Sequence, residues 1–132
     1  MTAKVLVIDD DPEIIQVVKL ILGKAGHEVL GAGNGREGIK MAQAEKPDAI
    51  LLDLDMPVMD GGEVAALLLQ NRKTCRIPII FITALAQASD LQQDRKIGGR
   101  YYIEKPFKPE VLLESLSDAI SEGPADEGCG AK

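Results

Sequence analysis

Ile50 to Gly61 reads I-L-L-D-L-D-M-P-V-M-D-G, and the fold of the chain turns on how this stretch is read. The unbroken apolar run from Ala49 to Leu52 has the character of a strand buried on both faces, as in a parallel sheet covered by helices. It delivers Asp53 where the strand should end, with its carboxylate aimed outward. Pro57, Asp60 and the Gly61-Gly62 pair then break the periodicity and turn the following segment into a loop. An isolated Asp after a strand usually does no more than cap a turn. What Asp53 is for therefore depends on what the rest of the chain brings beside it.

Working outward, similar runs recur. Lys4 to Ile8 (K-V-L-V-I) is a β-branched strand followed by Asp9, Asp10, Asp11 and Pro12. Asp11 before Pro12 is a helix start, because proline is preorganised at the first helical position and the carboxylate before it accepts free amide hydrogens. Ile14, Ile15, Val18, Ile21 and Leu22 then recur at helical spacing until Gly23 and Gly26. Glu28 to Leu30 reads as a second strand, and Asn34-Gly35 opens a helix ending near Lys46 and Pro47. Asp48 to Leu52 is the third strand, and Gly62 to Asn71 the third helix. Pro78 introduces a fourth buried strand, Ile79 to Ile82, which ends at Thr83-Ala84. A short fourth helix is expected between Ser89 and Ile97, a fifth strand at Tyr101 to Ile103, and a last helix from Pro109 to about Ser121. Gly123 to Lys132 has no periodicity and is expected to be a disordered tail.

Five strands alternating with five helices predict a parallel sheet covered on both faces, with right-handed crossovers. Asp10 follows strand one and Asp53 ends strand three. They share a site only if those strands are neighbours and strand two lies outside strand one. The expected fold is thus a doubly wound, flavodoxin-like (βα)5 domain whose five-stranded parallel sheet has the order 2-1-3-4-5. Its crevice lies where that order reverses.

Composition narrows the function. A chain of 132 residues with 45% hydrophobic and 27% charged residues suits one soluble domain with a single substantial core. No apolar run approaches the roughly 20 residues of a membrane span, and no secretory leader precedes the first strand, so a cytoplasmic location is expected. A formal charge of -6 disfavours direct binding to nucleic acid. Cys75 and Cys129 lack metal-ligand spacing and are expected to be unpaired thiols. His27, the only histidine, reads as an ordinary residue near a strand start.

At the carboxyl edge of the expected sheet converge Asp9, Asp10 and Asp53, with Asp55 just beyond, Thr83 from strand four and Lys105 from strand five. Two carboxylates roughly 4 Å apart repel by about 4 kcal/mol at an effective dielectric near 20, whereas one exposed salt bridge returns at most about 1 kcal/mol. A divalent cation is implied. Oxygen ligands alone select magnesium, with manganese as a substitute, over zinc. Asp53 is best placed as a nucleophile toward a phosphoryl group, with the Thr83 hydroxyl and the Lys105 ammonium as donors to its oxygens. A carboxylate needs no general base at neutral pH.

In order and spacing, Asp9-Asp10, Asp53 within L-L-D-L-D-M-P-V-M-D-G, Thr83-Ala84 and Lys105-Pro106-Phe107 resemble the receiver domains of two-component response regulators. The resemblance covers Lys4 to about Ser121. It implies a receiver domain over residues 1–121, followed by a tail over 122–132. It further implies that Asp53 accepts a phosphoryl group from the phosphohistidine of a sensor histidine kinase or phosphotransfer protein. By the same likeness Asp10 and Asp53 ligate magnesium through carboxylates, Asp9 acts through water, and Asp55 offers its backbone carbonyl. Thr83 and Tyr102 resemble the switch pair that alters the surface of helix four, strand five and helix five toward a downstream protein or output domain. Such a domain catalyses its own phosphotransfer and slow autodephosphorylation and is not a conventional multiple-turnover enzyme. Neither nucleic acid nor membrane is expected as a direct partner.

Two departures from the family pattern concern specificity and lifetime. Ile97-Gly98-Gly99-Arg100 replaces the usual Ala-Gly-Ala-like turn and, with Arg95 and Lys96, makes this region basic. Leu85 is bulky enough to hinder water attacking the phosphoryl group. Leu85→Ala is therefore expected to speed dephosphorylation, and an unchanged rate of phosphate loss would remove that role. Two rival classes are a haloacid-dehalogenase-like aspartyl-phosphate phosphatase, which L-L-D-L-D imitates, and a phosphorylation-independent interaction module. The phosphatase motif normally ends the first strand, and a further acidic pair should follow the lysine, where this chain has only a helix and a tail.

Overall fold

The computed structural model of the chain describes residues 2–56, 61–83, 96–97 and 100–122. Its strands are β1 (Lys4–Ile8), β2 (Glu28–Ala32), β3 (Ala49–Asp53), β4 (Ile79–Thr83), β5 (Lys96–Ile97) and β6 (Arg100–Glu104). The described helices are α1 (Pro12–Lys24), α2 (Gly35–Glu45), α3 (Gly61–Gln70) and α4 (Pro109–Glu122). Five strands are parallel and lie in the order β2-β1-β3-β4-β6, which is the expected 2-1-3-4-5 order.

The two-residue β5 extends that sheet at its edge, antiparallel to β6, with Ile97 opposite Arg100. This corrects the expected helix over Ser89 to Ile97 at its last two residues. The physical reason is visible in the sequence, where two glycines between β-forming segments favour a hairpin over a continued helix. The rest of that expected helix, with Ala84, Leu85 and Arg95, lies outside the described residues, as does the tail after Glu122.

Side-chain alternation along the strands makes two cores. Val5, Val7, Leu51, Ile80, Ile82 and Ile103 point to one face, where they meet Val18 and Leu22 of α1 and Leu112 and Leu116 of α4. Their neighbours Leu6, Ile8, Ile50, Leu52 and Phe81 point to the other face, against Ala42 of α2 and Val64 and Leu68 of α3. The central strand β3 is buried along its whole length. Each fully buried Leu or Ile contributes about 1.5–3 kcal/mol relative to exposure, so a one-residue slip of β3 would be heavily penalised. The position of Asp53 at the strand end is held by that register.

Local chemistry sets the helix ends. Asp11 Oδ1 accepts from the Glu13 N–H at 2.9 Å, capping α1 ahead of Pro12. Asn34 Oδ1 accepts from the Glu37 N–H at 2.8 Å while Glu37 Oε1 accepts from the Gly33 N–H at 3.1 Å, a near-reciprocal cap on α2. Lys46 closes α2 in the left-handed region with φ of 49° before Pro47. Asp48 then pairs with the backbone of Lys4, accepting from its N–H through Oδ2 at 2.8 Å and donating to its carbonyl at 2.7 Å, which aligns β3 with β1.

β2 runs two residues beyond its expected end, because Gly31 and Ala32 pair with Val7 and Ile8. His27 has a definite structural task, its Nδ1 accepting from the Ala3 N–H at 3.0 Å and joining the start of β1 to that of β2. Cys75 is disulfide-bonded, which overturns its expected state as an unpaired thiol. Sequence spacing carries no information on whether two distant thiols meet in space.

Candidate functional site

Parallel strands deliver their last residues to one edge of the sheet. Asp9 directly follows β1, Asp53 ends β3, Thr83 ends β4 and Lys105 directly follows β6. The ladders continue past the strand ends, with the Asp9 N–H on the Ala32 carbonyl at 3.1 Å and the Lys105 N–H on the Thr83 carbonyl at 2.8 Å. The backbone around the site therefore belongs to the sheet. Strand order reverses between β1 and β3, which is where the crevice of such a sheet forms.

The two buried aspartates are held alike. Asp9 Oδ1 accepts from the Asp11 N–H at 2.9 Å, and Asp53 Oδ1 accepts from the Asp55 N–H at 2.9 Å. Each strand-end carboxylate is thus oriented by the amide two residues on, the local bonding to which Asp is suited. Adjacent strands lie about 4.8 Å apart, which puts β6 about 10 Å from β3. The long Lys105 side chain spans that distance. Its Nζ stands 3.2 Å from Asp9 Oδ2 and 3.4 Å from Asp53 Oδ1. The contact with Asp9 is electrostatic rather than a directed hydrogen bond, and Oδ2 is a buried oxygen without a hydrogen-bond partner.

Asp9 is 0% exposed and Asp53 2%. Burial pushes the Asp53 carboxyl above its usual 3.8; the Asp55 N–H and Lys105 oppose that shift, and Asp9 reinforces it. For Lys105, burial favours the neutral amine, but the charges of Asp9 and Asp53 outweigh it and raise the ammonium above its usual 10.5. The stability that Lys105 contributes through this shift is fully present below 10.5 and is lost as pH rises through its raised folded value. At pH 7, Lys105→Met should lower stability by about 2 kcal/mol, a buried-pair loss discounted for the partial exposure of the lysine. Urea melts check this, and the deficit should shrink in acid as the carboxylates take up protons.

Carboxylate oxygens of Asp9, Asp10 and Asp53 all lie within 4.8 Å of one another, and Asp10 is the exposed member. Three oxygen donors, one of them a buried atom without a hydrogen bond, suit a hard divalent cation. Thr83 is buried, with Oγ1 3.5 Å from Asp55 Oδ1. The structure therefore brings Asp9, Asp10, Asp53, Asp55, Thr83 and Lys105 to one edge. Tyr102 is half-buried and lies apart from this cluster, stacked on its register partner Phe81 with centroids 5.2 Å apart.

Gly61 belongs to the site's support. It opens α3, and a Cβ there would stand 2.6 Å from the Asp53 carbonyl oxygen and 2.8 Å from the Leu54 Cα. The sequence marks Gly61-Gly62 as a break, but not as the place where a helix start presses on the Asp53 peptide.

The class so defined is a doubly wound α/β domain with carboxylates and a lysine gathered where its strand order reverses. The chain matches the response regulator receiver domain over residues 5–117. It is 34% identical to protein PilH of Pseudomonas aeruginosa over 119 residues, covering 90% of this chain and 98% of PilH. It is 37% identical to the alkaline phosphatase synthesis transcriptional regulatory protein PhoP of Bacillus subtilis over 112 residues, 85% of this chain and 46% of PhoP. The chain thus spans nearly all of PilH and about half of PhoP. The chemotaxis protein CheY4 of Vibrio cholerae has a similar structure, with a TM-score of 0.78, 35% identity, and coverage of 90% of this chain and 99% of that one. This chain belongs to the response regulator receiver domain family of two-component signalling.

Proposed function

We propose that Asp53 is the phosphoacceptor of this receiver, taking a phosphoryl group from the phosphohistidine of a sensor histidine kinase or phosphotransfer protein. The observation that carries the reading is Lys105 Nζ within 3.4 Å of Asp53 and 3.2 Å of Asp9 at the reversal of strand order. Asp53 Oδ1 is committed to the Asp55 N–H and Lys105, which leaves Oδ2 as the attacking oxygen. A bond forms from Oδ2 to phosphorus as the phosphorus–nitrogen bond of the donor breaks, and imidazole departs with its electron pair. Lys105 and the Thr83 hydroxyl donate to the phosphoryl oxygens.

Asp9, Asp10 and Asp53, with the Asp55 backbone carbonyl, would hold a magnesium ion, which when bound neutralises charge on the phosphoryl oxygens. Manganese is a hard substitute with the same ligand preference. Thr83, drawn toward the phosphoryl group, is one half of the switch. Tyr102, stacked on Phe81 one strand away, is the other. The surface altered is that of β6, α4 and the segment before β5, and it acts on a downstream protein or output domain. In this reading residues 1–121 form the phosphoacceptor domain, residues 122–132 its tail, and the site of action is the cytoplasm. No described helix is long and apolar enough to cross a membrane.

The test is incubation with acetyl phosphate and magnesium, followed by intact-mass measurement. One phosphoryl adduct is expected, suppressed by chelator, without catalytic turnover of p-nitrophenyl phosphate. An unmodified protein under conditions that label a control receiver would overturn the proposal, and sustained turnover would mark a hydrolase instead.

A further inference from the structure

We propose that the outer face of α1 is a docking surface for a second copy of this chain, on which two α1 helices pack antiparallel about a two-fold axis. Among the described residues the exposed large hydrophobics fall on two helices, Val17 (41%) and Leu20 (62%) on α1 and Leu67 (44%) and Leu69 (37%) on α3. Only the α1 pair is bracketed by opposite charges on its own helix. Glu13 stands four residues before Val17 and Lys24 four after Leu20, and all four side chains are exposed. By contrast α3 carries a single charged residue, Glu63, and its two leucines, two positions apart, do not share a face.

Steps of four, three and four residues put Glu13, Val17, Leu20 and Lys24 on one stripe of α1, away from the buried Val18 and Leu22. The stripe complements itself only when it is reversed. The Glu13–Lys24 and Val17–Leu20 pairs are both centred midway between Val18 and Lys19. A two-fold axis at that level therefore sets Leu20 against Val17 of the partner subunit, and Lys24 against Glu13 of the partner subunit. A parallel pairing would set like charges side by side. Glu13 and Lys24 lie in the first and last turns of α1, where they suit its dipole, and reversal of the second helix lets each charge serve both helices. Such an isologous contact closes at two copies.

Beside the stripe lies an open groove of about 470 Å³ between Leu20, Ile21 and Lys24 of α1 and Pro109 and Leu113 of α4. Side chains of one helix packing into the groove of another are the ordinary way in which helices meet. Val17 of the partner subunit, set against Leu20, falls at the level of this groove and would fill its mouth, covering the half-buried Ile21 and Leu113. Lys24 on the rim is within the same turn. From Glu13 to Lys24 the stripe is about 17 Å long, which suits an interface under about 1,200 Å² in total and hence a weak, reversible association. Because α1 starts at the carboxylate edge, where Asp11 caps it, antiparallel pairing points the two crevices in opposite directions.

The experiment measures sedimentation equilibrium of the full chain from micromolar to millimolar concentration, with reductant present so that no disulfide joins copies. A reversible monomer–dimer equilibrium is expected. Leu20→Gln, at an exposed site, should leave the Tm unchanged and weaken dimerisation on the order of 100-fold, since two leucines are lost from each contact. Glu13→Lys and Lys24→Glu each turn both charge pairs into like-charge pairs and should weaken it about 10-fold. An equimolar mixture of those two variants sets a lysine against a glutamate at both ends again and should dimerise as the wild type does. A chain that stays monomeric at millimolar concentration would overturn the proposal and leave this face to a different partner. A dimer indifferent to Leu20→Gln, or charge variants whose mixture recovers nothing, would overturn it as well.

Discussion

Asp53→Asn should melt above the wild type at pH 7 in the presence of chelator, while losing all phosphoryl uptake from acetyl phosphate. The stability half follows from the raised carboxyl of Asp53, caused first by burial. A carboxyl whose folded value lies above its unfolded one favours folding fully below the unfolded value, near 3.8. That favour is lost as pH rises through the folded value, and at neutral pH the ionised group is a net cost. Asparagine keeps the shape and an oxygen able to accept the Asp55 N–H, but removes the buried charge. Lys105 retains Asp9 at 3.2 Å. The gain should be about 1–2 kcal/mol, as when a buried ionic group is replaced by a neutral one of similar volume. It should shrink as pH falls through the folded value of Asp53, and as magnesium is added to the wild type. A variant that melts below the wild type at pH 7 without metal would contradict the electrostatics described here. A variant still labelled stoichiometrically would contradict the assignment of the acceptor.

Gly61→Ala should disturb both fold and site. Alanine within a helix ordinarily gains roughly 0.5–1 kcal/mol over glycine. At Gly61 the added Cβ would stand 2.6 Å from the Asp53 carbonyl oxygen and 2.8 Å from the Leu54 Cα, both backbone atoms that cannot swing aside. Overpacking of this kind costs about 1–3 kcal/mol, so the variant should lose roughly 8 °C in Tm for a cost near 2 kcal/mol. Relief requires α3 or the Asp53–Leu54 peptide to move. A shift of about 1 Å at a reacting group costs on the order of 100-fold in rate. Acetyl phosphate labelling of the folded variant should therefore slow at least 10-fold. Equal melting and labelling of Gly61→Ala and wild type would show that the close approach has no energetic weight. Gly62→Ala, one residue further into α3, supplies the control for helix propensity.

Much of this architecture is local and could be read residue by residue. Asp11 before Pro12 and Asn34 before Gly35 set helix starts because a side-chain oxygen has to meet amides two or three residues away. The unbroken run of β3 showed a strand covered on both faces, and the ordered Asp9-Asp10, Asp53, Thr83 and Lys105-Pro106 fragments identified the family. Even the strand order was legible, since carboxylates after strands one and three can share a site only if those strands are neighbours.

Other features depended on what meets across the fold. Runs of adjacent aspartates do not show that Asp9 is the one buried against Lys105 while Asp10 stays exposed. That is settled by which way the chain leaves β1 and by the Asp11 N–H on Asp9 Oδ1. The pressure of Gly61 on the Asp53 peptide, the acceptance of the Ala3 N–H by His27 and the bonded state of Cys75 likewise join atoms brought close only by packing. Periodicity and capping act within a few residues along the chain, so the sequence by itself determined the five parallel strands, their order and the chemistry available at one edge, but not the two-residue β5 that pairs with β6 where a helix was expected. The distances at which that chemistry is held come from the register of β1, β3, β4 and β6 and from the reach of one lysine across two strands, and only the tertiary structure decided those.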